Sequence, residues 1–211
     1  MIIMEKRAVV RQSSFNKNIT VTVIPGHFAT NHSHINYFVD LTNIKSMHKM
    51  AKAAASRFGA AYANTPIDTI VCLERTKMVA AFLADYLSEH GINQNQDIAV
   101  LTPELKNGQV LLRDNLQSLV WGKNVLLLFA NVSTGLTATS TLEGIRYYGG
   151  NPVGIASLFT TNTEVAGLPV VGIFTSDDIA GYETHSAADC PLCKNKVKLD
   201  ALVNSYGYSK L

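Results

Sequence analysis

Four largely apolar runs punctuate the chain: Ile67-Asp68-Thr69-Ile70-Val71-Cys72, Ile98-Ala99-Val100-Leu101, Val125-Leu126-Leu127-Leu128-Phe129 and Val153-Gly154-Ile155-Ala156-Ser157-Leu158-Phe159. Runs of this length with little polar alternation predict strands covered on both faces. Between them the apolar period changes to three and four. Ile44, Met47, Met50, Ala51, Ala54 and Phe58 predict one amphipathic helix over 43–62, with the methionines as core filler, ended by Gly59 and the Asn64-Thr65-Pro66 turn. Val79, Phe82, Leu83 and Leu87 predict a second helix over 78–87, and Leu142, Ile145 and Arg146 a third over 138–148, closed by Gly149-Gly150. Strands alternating with helices predict an α/β fold with a mainly parallel sheet, right-handed crossovers and a ligand crevice at the carboxyl ends of the strands.

The flanks read differently. Residues 1–18 form an arm carrying Lys6, Arg7, Arg11 and Lys17; residues 19–24 alternate as a strand, and Pro25-Gly26 signals a turn. Residues 103–116 read as a hairpin turning at Asn107-Gly108. The last apolar run, 168–175, contains Pro169, which marks an edge strand or a strand start, and Asp177-Asp178 opens a helix or turn.

Length and charge narrow the class. The chain has 211 residues, which fits one domain over 1–211, and it is 47% hydrophobic and 16% charged, which excludes disorder. A net charge of +2 gives no field to attract nucleic acid, and no stretch of about 18 apolar residues could span a membrane. Residues 1–7 lack the ordering of a secretory signal, and three cysteines fit a reducing compartment, so a cytoplasmic location is expected.

Candidate chemistry gathers in five places. The loop 130–137 contains Ser133, Thr134, Gly135, Leu136 and Thr137 ahead of a helix, where amides, hydroxyls and the helix dipole favour an anion. A second strand-to-helix loop carries Glu74, Arg75, Thr76 and Lys77; Arg75 and Lys77 could hold phosphate, or the loop could be plain solvated surface. Lys106 and Arg113 in the hairpin could neutralise a leaving anion, the alternative being two stray surface charges. His27, His32 and His34 are close enough in sequence to raise a metal site, but no nearby cysteine or carboxylate completes one. Cys190-Pro191-Leu192-Cys193 has zinc-knuckle spacing and supplies two ligands, with His185 the nearest third and no fourth. Cys72 reads as a small core residue, Lys194, Lys196 and Lys198 as solvated surface, and the tyrosines of the C-terminal tail as packing for a partner subunit.

The segment 125–150 resembles the phosphoribosyl-diphosphate (PRPP) motif of the type I phosphoribosyltransferases. Aligned on Gly135, Val125 to Leu128 fall on the motif's strand and Ser133, Thr134, Gly135 and Thr137 on its phosphate loop. The motif's two acidic residues, which contact ribose hydroxyls and the metal-bound region of the substrate, fall on Phe129 and Ala130, which can do neither. Gly26-His27-Phe28, His32-Ser33 and Tyr37 resemble the base-capping region of orotate phosphoribosyltransferases, and the cysteine pair resembles one found in a subset of them. The likeness covers about 26–193. It implies a core over about 43–175 and a small hood from 1–42 and 176–211. Implied site residues are Phe28, His32, Ser33 and Tyr37 at the base, residues 74–77 at the pyrophosphate, and Lys106 and Arg113 in a catalytic loop. Implied ligands are PRPP or a nucleoside monophosphate with Mg²⁺, and the implied assembly is a homodimer.

Three readings follow: an orotate-type transferase moving phosphoribosyl from PRPP to a pyrimidine nitrogen with release of pyrophosphate; a catalytically silent nucleotide or phosphate sensor of the same fold, favoured by Phe129 and Ala130; and a redox or zinc protein resting on Cys190 and Cys193.

Overall fold

The run at 124–132 lies at the centre of the main sheet in the computed structural model, which describes residues 4–211; the first three residues of the expected N-terminal arm lie outside the described residues. In chain order the strands are β1 (Val9–Gln12), β2 (Thr20–Ala29), β3 (His34–Asp40), β4 (Thr69–Cys72), β5 (Ala99–Leu101), β6 (Glu104–Lys106) and β7 (Gln109–Leu111). They continue as β8 (Asn124–Val132), β9 (Asn151–Thr160), β10 (Glu164–Val165), β11 (Leu168–Thr175), β12 (Thr184–His185), β13 (Ala201–Asn204) and β14 (Gly207–Lys210). The helices are α1 (Thr42–Ser46), α2 (His48–Tyr62), α3 (Lys77–Glu89), α4 (Asp114–Gln117), α5 (Leu136–Tyr147) and α6 (Pro191–Lys194).

The main sheet runs β10-β11-β9-β8-β4-β5, and every pair in it is parallel except the short β10–β11 edge. Strand β8 is buried on both faces, which is why its sequence shows no alternation. Its side chains nonetheless divide by parity: Leu126, Leu128 and Ala130 enter the core shared with α2 and α3, whereas Val125, Leu127 and Phe129 enter the core shared with α5. Tyr62 crosses from α2 to this sheet and donates its hydroxyl to the Ile155 carbonyl, 2.9 Å away. Its ring packs over Gly154, where a Cβ would come within 2.5 Å of the ring.

A second sheet, β12-β3-β2-β13-β14 with β1 also on β2, joins the two ends of the chain into a hood with its own core of Phe28, Phe38, Ile35, Ala201 and Val203. All its pairs are antiparallel except β13 against β2.

Several expectations are corrected. Pro25-Gly26 is not a turn but a bulge inside the continuous strand β2: pairing with β3 shifts register between Pro25 and Phe28, and the missing Cβ of Gly26 lets Asp200 approach, where a Cβ would lie 2.4 Å from its carboxylate. The single helix over 43–62 is two, because Met47 is extended at φ −100° and 57% exposed between α1 and α2, so that methionine is not core filler. Gly59 does not end the helix; it sits inside α2, where close packing of Tyr86 from α3 requires it. Part of the N-terminal arm is strand β1. Tyr208 is used within the chain, edge-on to Phe38 with its hydroxyl bound to Glu5. The hairpin is found as expected, with Asn107 and Gly108 both at positive φ (52° and 76°), the pairing a two-residue turn demands.

Replacing Gly154 by alanine drives a methyl into the Tyr62 ring, which is anchored at its far end by the Ile155 bond. Urea unfolding of Gly154→Ala is expected to show a loss of about 1–3 kcal/mol; unchanged stability would mean Tyr62 is not held against the sheet.

Candidate functional site

A cleft of about 740 Å³ opens between the carboxyl ends of the parallel strands and the hood. That is the size of a small-molecule site. Its floor is the run from Ala130 to Ala138; its walls are the β2–β3 tip at Thr30 to Ser33, the β13–β14 turn around Asn204 and Ser205, and the hairpin residues Leu105, Asn107 and Gly108.

The loop 133–137 lies open to this space. Gly135 takes the left-handed φ of 75° immediately before α5, and the first residues of the helix, whose amides have no partner within it, line the cleft. The loop's carbonyls are tied from behind. Thr160 Oγ1 donates to the Val132 carbonyl at 3.1 Å, and Thr161 Oγ1 and Asn162 Nδ2 donate to the Ser133 carbonyl at 2.8 and 2.5 Å. Ser133, Thr134, Gly135, Leu136 and Thr137 all line the cleft.

The loop after β4 meets this floor through one carboxylate. Glu74 Oε2 accepts the amides of Ala130 and Asn131, each at 2.9 Å, where β8 ends. To reach them the backbone is left-handed at both Glu74 and Arg75, with φ of 55° and 67°. Two consecutive non-glycine residues there cost of order 1–3 kcal/mol each, and the two amide bonds offset part of that strain. Burial pushes the Glu74 carboxyl up from its ordinary value, against the pull of the two amides and of Lys45. Lys45, from α1, lines the cleft, donates to the Ser205 carbonyl at 2.7 Å, and has its ammonium pushed down by burial. Asn131 Oδ1 is buried in this region without a hydrogen-bond partner.

Of the remaining candidates, His32 and Ser33 line the cleft. Phe28 does not: it is fully buried in the hood core against Phe38, and Phe38 reaches the cleft instead. Tyr37 packs on the core beneath the hood rather than on the cleft. Thr76 is buried and spends its hydroxyl on the Leu73 and Leu128 carbonyls, so it shapes the loop rather than a ligand. Arg75 turns its guanidinium toward the Tyr206 ring, 5.3 Å from its centre, and neither it nor Lys77 lines the cleft. In the hairpin, strand alternation gives Leu105 to the cleft and Lys106 to a separate hollow against α5. Arg113 forms a two-pronged pair with Glu104, both bonds 2.8 Å, outside the cleft. Sequence reasoning missed Lys45 and Asn131; the one sits in an ordinary helical pattern and the other in a strand, and neither carries a motif.

The cysteine pair lies elsewhere, in the hood. His185, expected as its third partner, pairs with Glu183 at 3.1 Å, and the side chains beside Cys190 and Cys193 are His27 and His34. Among the described residues no helix is long and apolar enough to cross a membrane.

No protein-family model matches the chain, and no curated protein matches it by sequence. Solved structures do match by shape. A phosphoribosyltransferase from Corynebacterium diphtheriae superposes with a TM-score of 0.51 at 20% identity, covering 73% of this chain and 90% of that one. The orotate phosphoribosyltransferase of Mycobacterium tuberculosis, solved with Fe(III) dicitrate, gives 0.50 at 19%, covering 70% and 85%. An adenine phosphoribosyltransferase from Rhodothermus marinus gives 0.50 at 16%, covering 82% and 96%. The chain therefore has the phosphoribosyltransferase fold.

Because Glu74 has a raised carboxyl value in the fold, its contribution to stability is fully present below the ordinary value of 4.5 and is lost as pH rises through the folded-state value. Glutamine keeps an oxygen for both amides without the charge. Urea unfolding of Glu74→Gln and the parent should therefore agree in acid and diverge above pH 4.5 in favour of the variant; a parent that gains on the variant with rising pH would contradict this.

Proposed function

We propose that the cleft binds a 5′-phosphorylated ribose, in the form of a nucleoside monophosphate, and holds it without transferring it. The observation that carries this reading is the open floor at Ser133 to Thr137, with the unpartnered Asn131 Oδ1 beside it. Amides at a helix N-terminus suit a phosphate, and a buried acceptor one strand residue away suits a ribose hydroxyl, the donor it lacks. His32 and Ser33 on the hood tip stand where a base would extend, and Lys45 offers the one ammonium among the cleft-lining residues described.

Transfer from PRPP asks more of the site. The positions of the acidic pair hold Phe129 and Ala130, both buried, and the cleft-lining carboxylates are Asp40 and Glu74, of which Glu74 already accepts two amides. Asp40 and Glu74, the latter through Oε1 because Oε2 takes both amides, would be the residues to hold the Mg²⁺ expected from the resemblance, and no catalytic step is routed through it. Neither Lys106 nor Arg113 lines the cleft to meet a departing pyrophosphate.

A second reading keeps the orotate-type transferase, moving phosphoribosyl from PRPP onto a pyrimidine nitrogen. One observation favours it: Glu74 brings a carboxylate from the neighbouring loop to the end of β8, beside the places the acidic pair has lost.

Calorimetry with uridine and adenosine monophosphates, and pyrophosphate release with PRPP, orotate and Mg²⁺, separate the two. We expect saturable monophosphate binding and no turnover. A Thr134→Glu variant, which sets a carboxylate at the phosphate position, should weaken binding by about tenfold or more, the effect shrinking in high salt. Steady pyrophosphate release would establish the second reading, and no binding of either ligand would overturn both.

A further inference from the structure

We propose that the hood contains a structural zinc site formed by His27, His34, Cys190 and Cys193. Four ligand atoms, His27 Nε2, His34 Nδ1 and the two Sγ atoms, lie within 4.8 Å of one another. His27 Nε2 is 3.1 Å from His34 Nδ1, 3.4 Å from Cys190 Sγ and 3.6 Å from Cys193 Sγ, and Cys193 Sγ is 3.2 Å from His34 Nδ1. A tetrahedral zinc with ordinary Zn–N and Zn–S bonds sets its ligand atoms about 3.3 Å apart for two nitrogens and about 3.6 Å for nitrogen and sulfur. The four side chains already stand near the corners of that tetrahedron.

Hydrogen bonding alone does not account for the cluster. His27 is 1% exposed, and its Nδ1–H donates to the Val197 carbonyl at 2.8 Å, which fixes the tautomer and leaves one lone pair on Nε2. Three potential donors crowd that single lone pair: two thiols and the His34 ring. A dication satisfies all four atoms at once. Each thiol gives its proton to solvent as it binds, so two thiolates and two neutral imidazoles leave the site without net charge. The ligand set selects zinc over Mg²⁺ or Ca²⁺, which take oxygen, and the compact spacing holds one ion rather than a two-iron cluster whose thiolates and imidazoles bind different irons.

An independent observation comes from packing. Across residues 186–200 Cys190 is the only buried residue, and α6 buries none of its own. A segment with no apolar anchor is held in place by cross-linking to β2 and β3, as in small domains whose metal substitutes for a core. The cross-link has a consequence for the cleft. The tip Thr30 to Ser33 lies between the two histidine ligands, and Asn204 and Ser205 follow the cysteine segment through β13, so both hood walls of the cleft are set by it.

Untagged protein purified without chelator, equilibrated with zinc and desalted, should carry one zinc per chain by elemental analysis. The cobalt-substituted form should show intense tetrahedral ligand-field bands with thiolate-to-cobalt charge transfer. Cys193→Ser and His34→Ala should each cut retained zinc to below about a fifth, whereas Cys72→Ala should retain it. Folded parent protein without tightly held zinc, a weak octahedral cobalt spectrum, or full retention by the double variant of Cys193 and His34 would overturn the site. None of these readouts involves nucleotide, so the zinc site and the cleft ligand stand or fall separately.

Discussion

Two backbone amides at the end of a strand buried on both faces need an acceptor, and the carboxylate of Glu74 supplies it. Much of the site follows. The loop after β4 is forced into two left-handed residues to bring the carboxylate over, and the end of β8 is fixed relative to that loop. The chain then turns through Gly135 along the cleft, with the Val132 and Ser133 carbonyls taken by Thr160, Thr161 and Asn162. The same contact occupies Oε2 of that carboxylate and leaves Oε1 outside it.

The cleft has a second dependence, on the hood. Its far wall is built from the tip of β2–β3 and from β13–β14, segments almost at opposite ends of the chain. The parallel contact of β13 with β2 is only two residue pairs long, Ala201 on Phe28 and Leu202 on Ala29. Arg7 adds a bond to Asp200 at 2.6 Å, and Asp200 in turn accepts the His27 amide at 2.9 Å. The His27, His34, Cys190 and Cys193 cluster brings the 190–193 segment against β2 and β3. Floor and wall are thus secured by different contacts, a carboxylate on amides in one and short strand pairing with an ion pair in the other.

The central sheet was legible because doubly buried strands leave a continuous apolar signature, and the loop at 133–137 because its small polar residues and Gly135 stand just ahead of a helical period. The hairpin turn was readable from Asn107-Gly108 alone. What failed was long-range. Pro25-Gly26 has the local chemistry of a turn, but Asp200, remote in sequence, makes a bulge there the better use of a missing Cβ. His27 and His34 have no cysteine near them in sequence, and Cys190 and Cys193 have His185 as the nearest histidine, because the hood that unites the four is written in no local pattern. Phe28 and Tyr37 matched a motif by order along the chain, yet the bulge and strand parity send them into cores, and Phe38 takes the cleft position. Side-chain direction was the missing quantity in each case.

The claim on which the functional account turns is that the amides following Val132 receive a nucleotide phosphate. Titrating ¹⁵N-labelled protein with uridine monophosphate and following its amide resonances tests this directly. The account predicts that the largest shifts fall on residues 133–138, with a second, smaller group at 30–33 and 204–205. Saturable binding with those resonances unmoved, and the shifts gathered on the hairpin or the outer face of the hood, would contradict it.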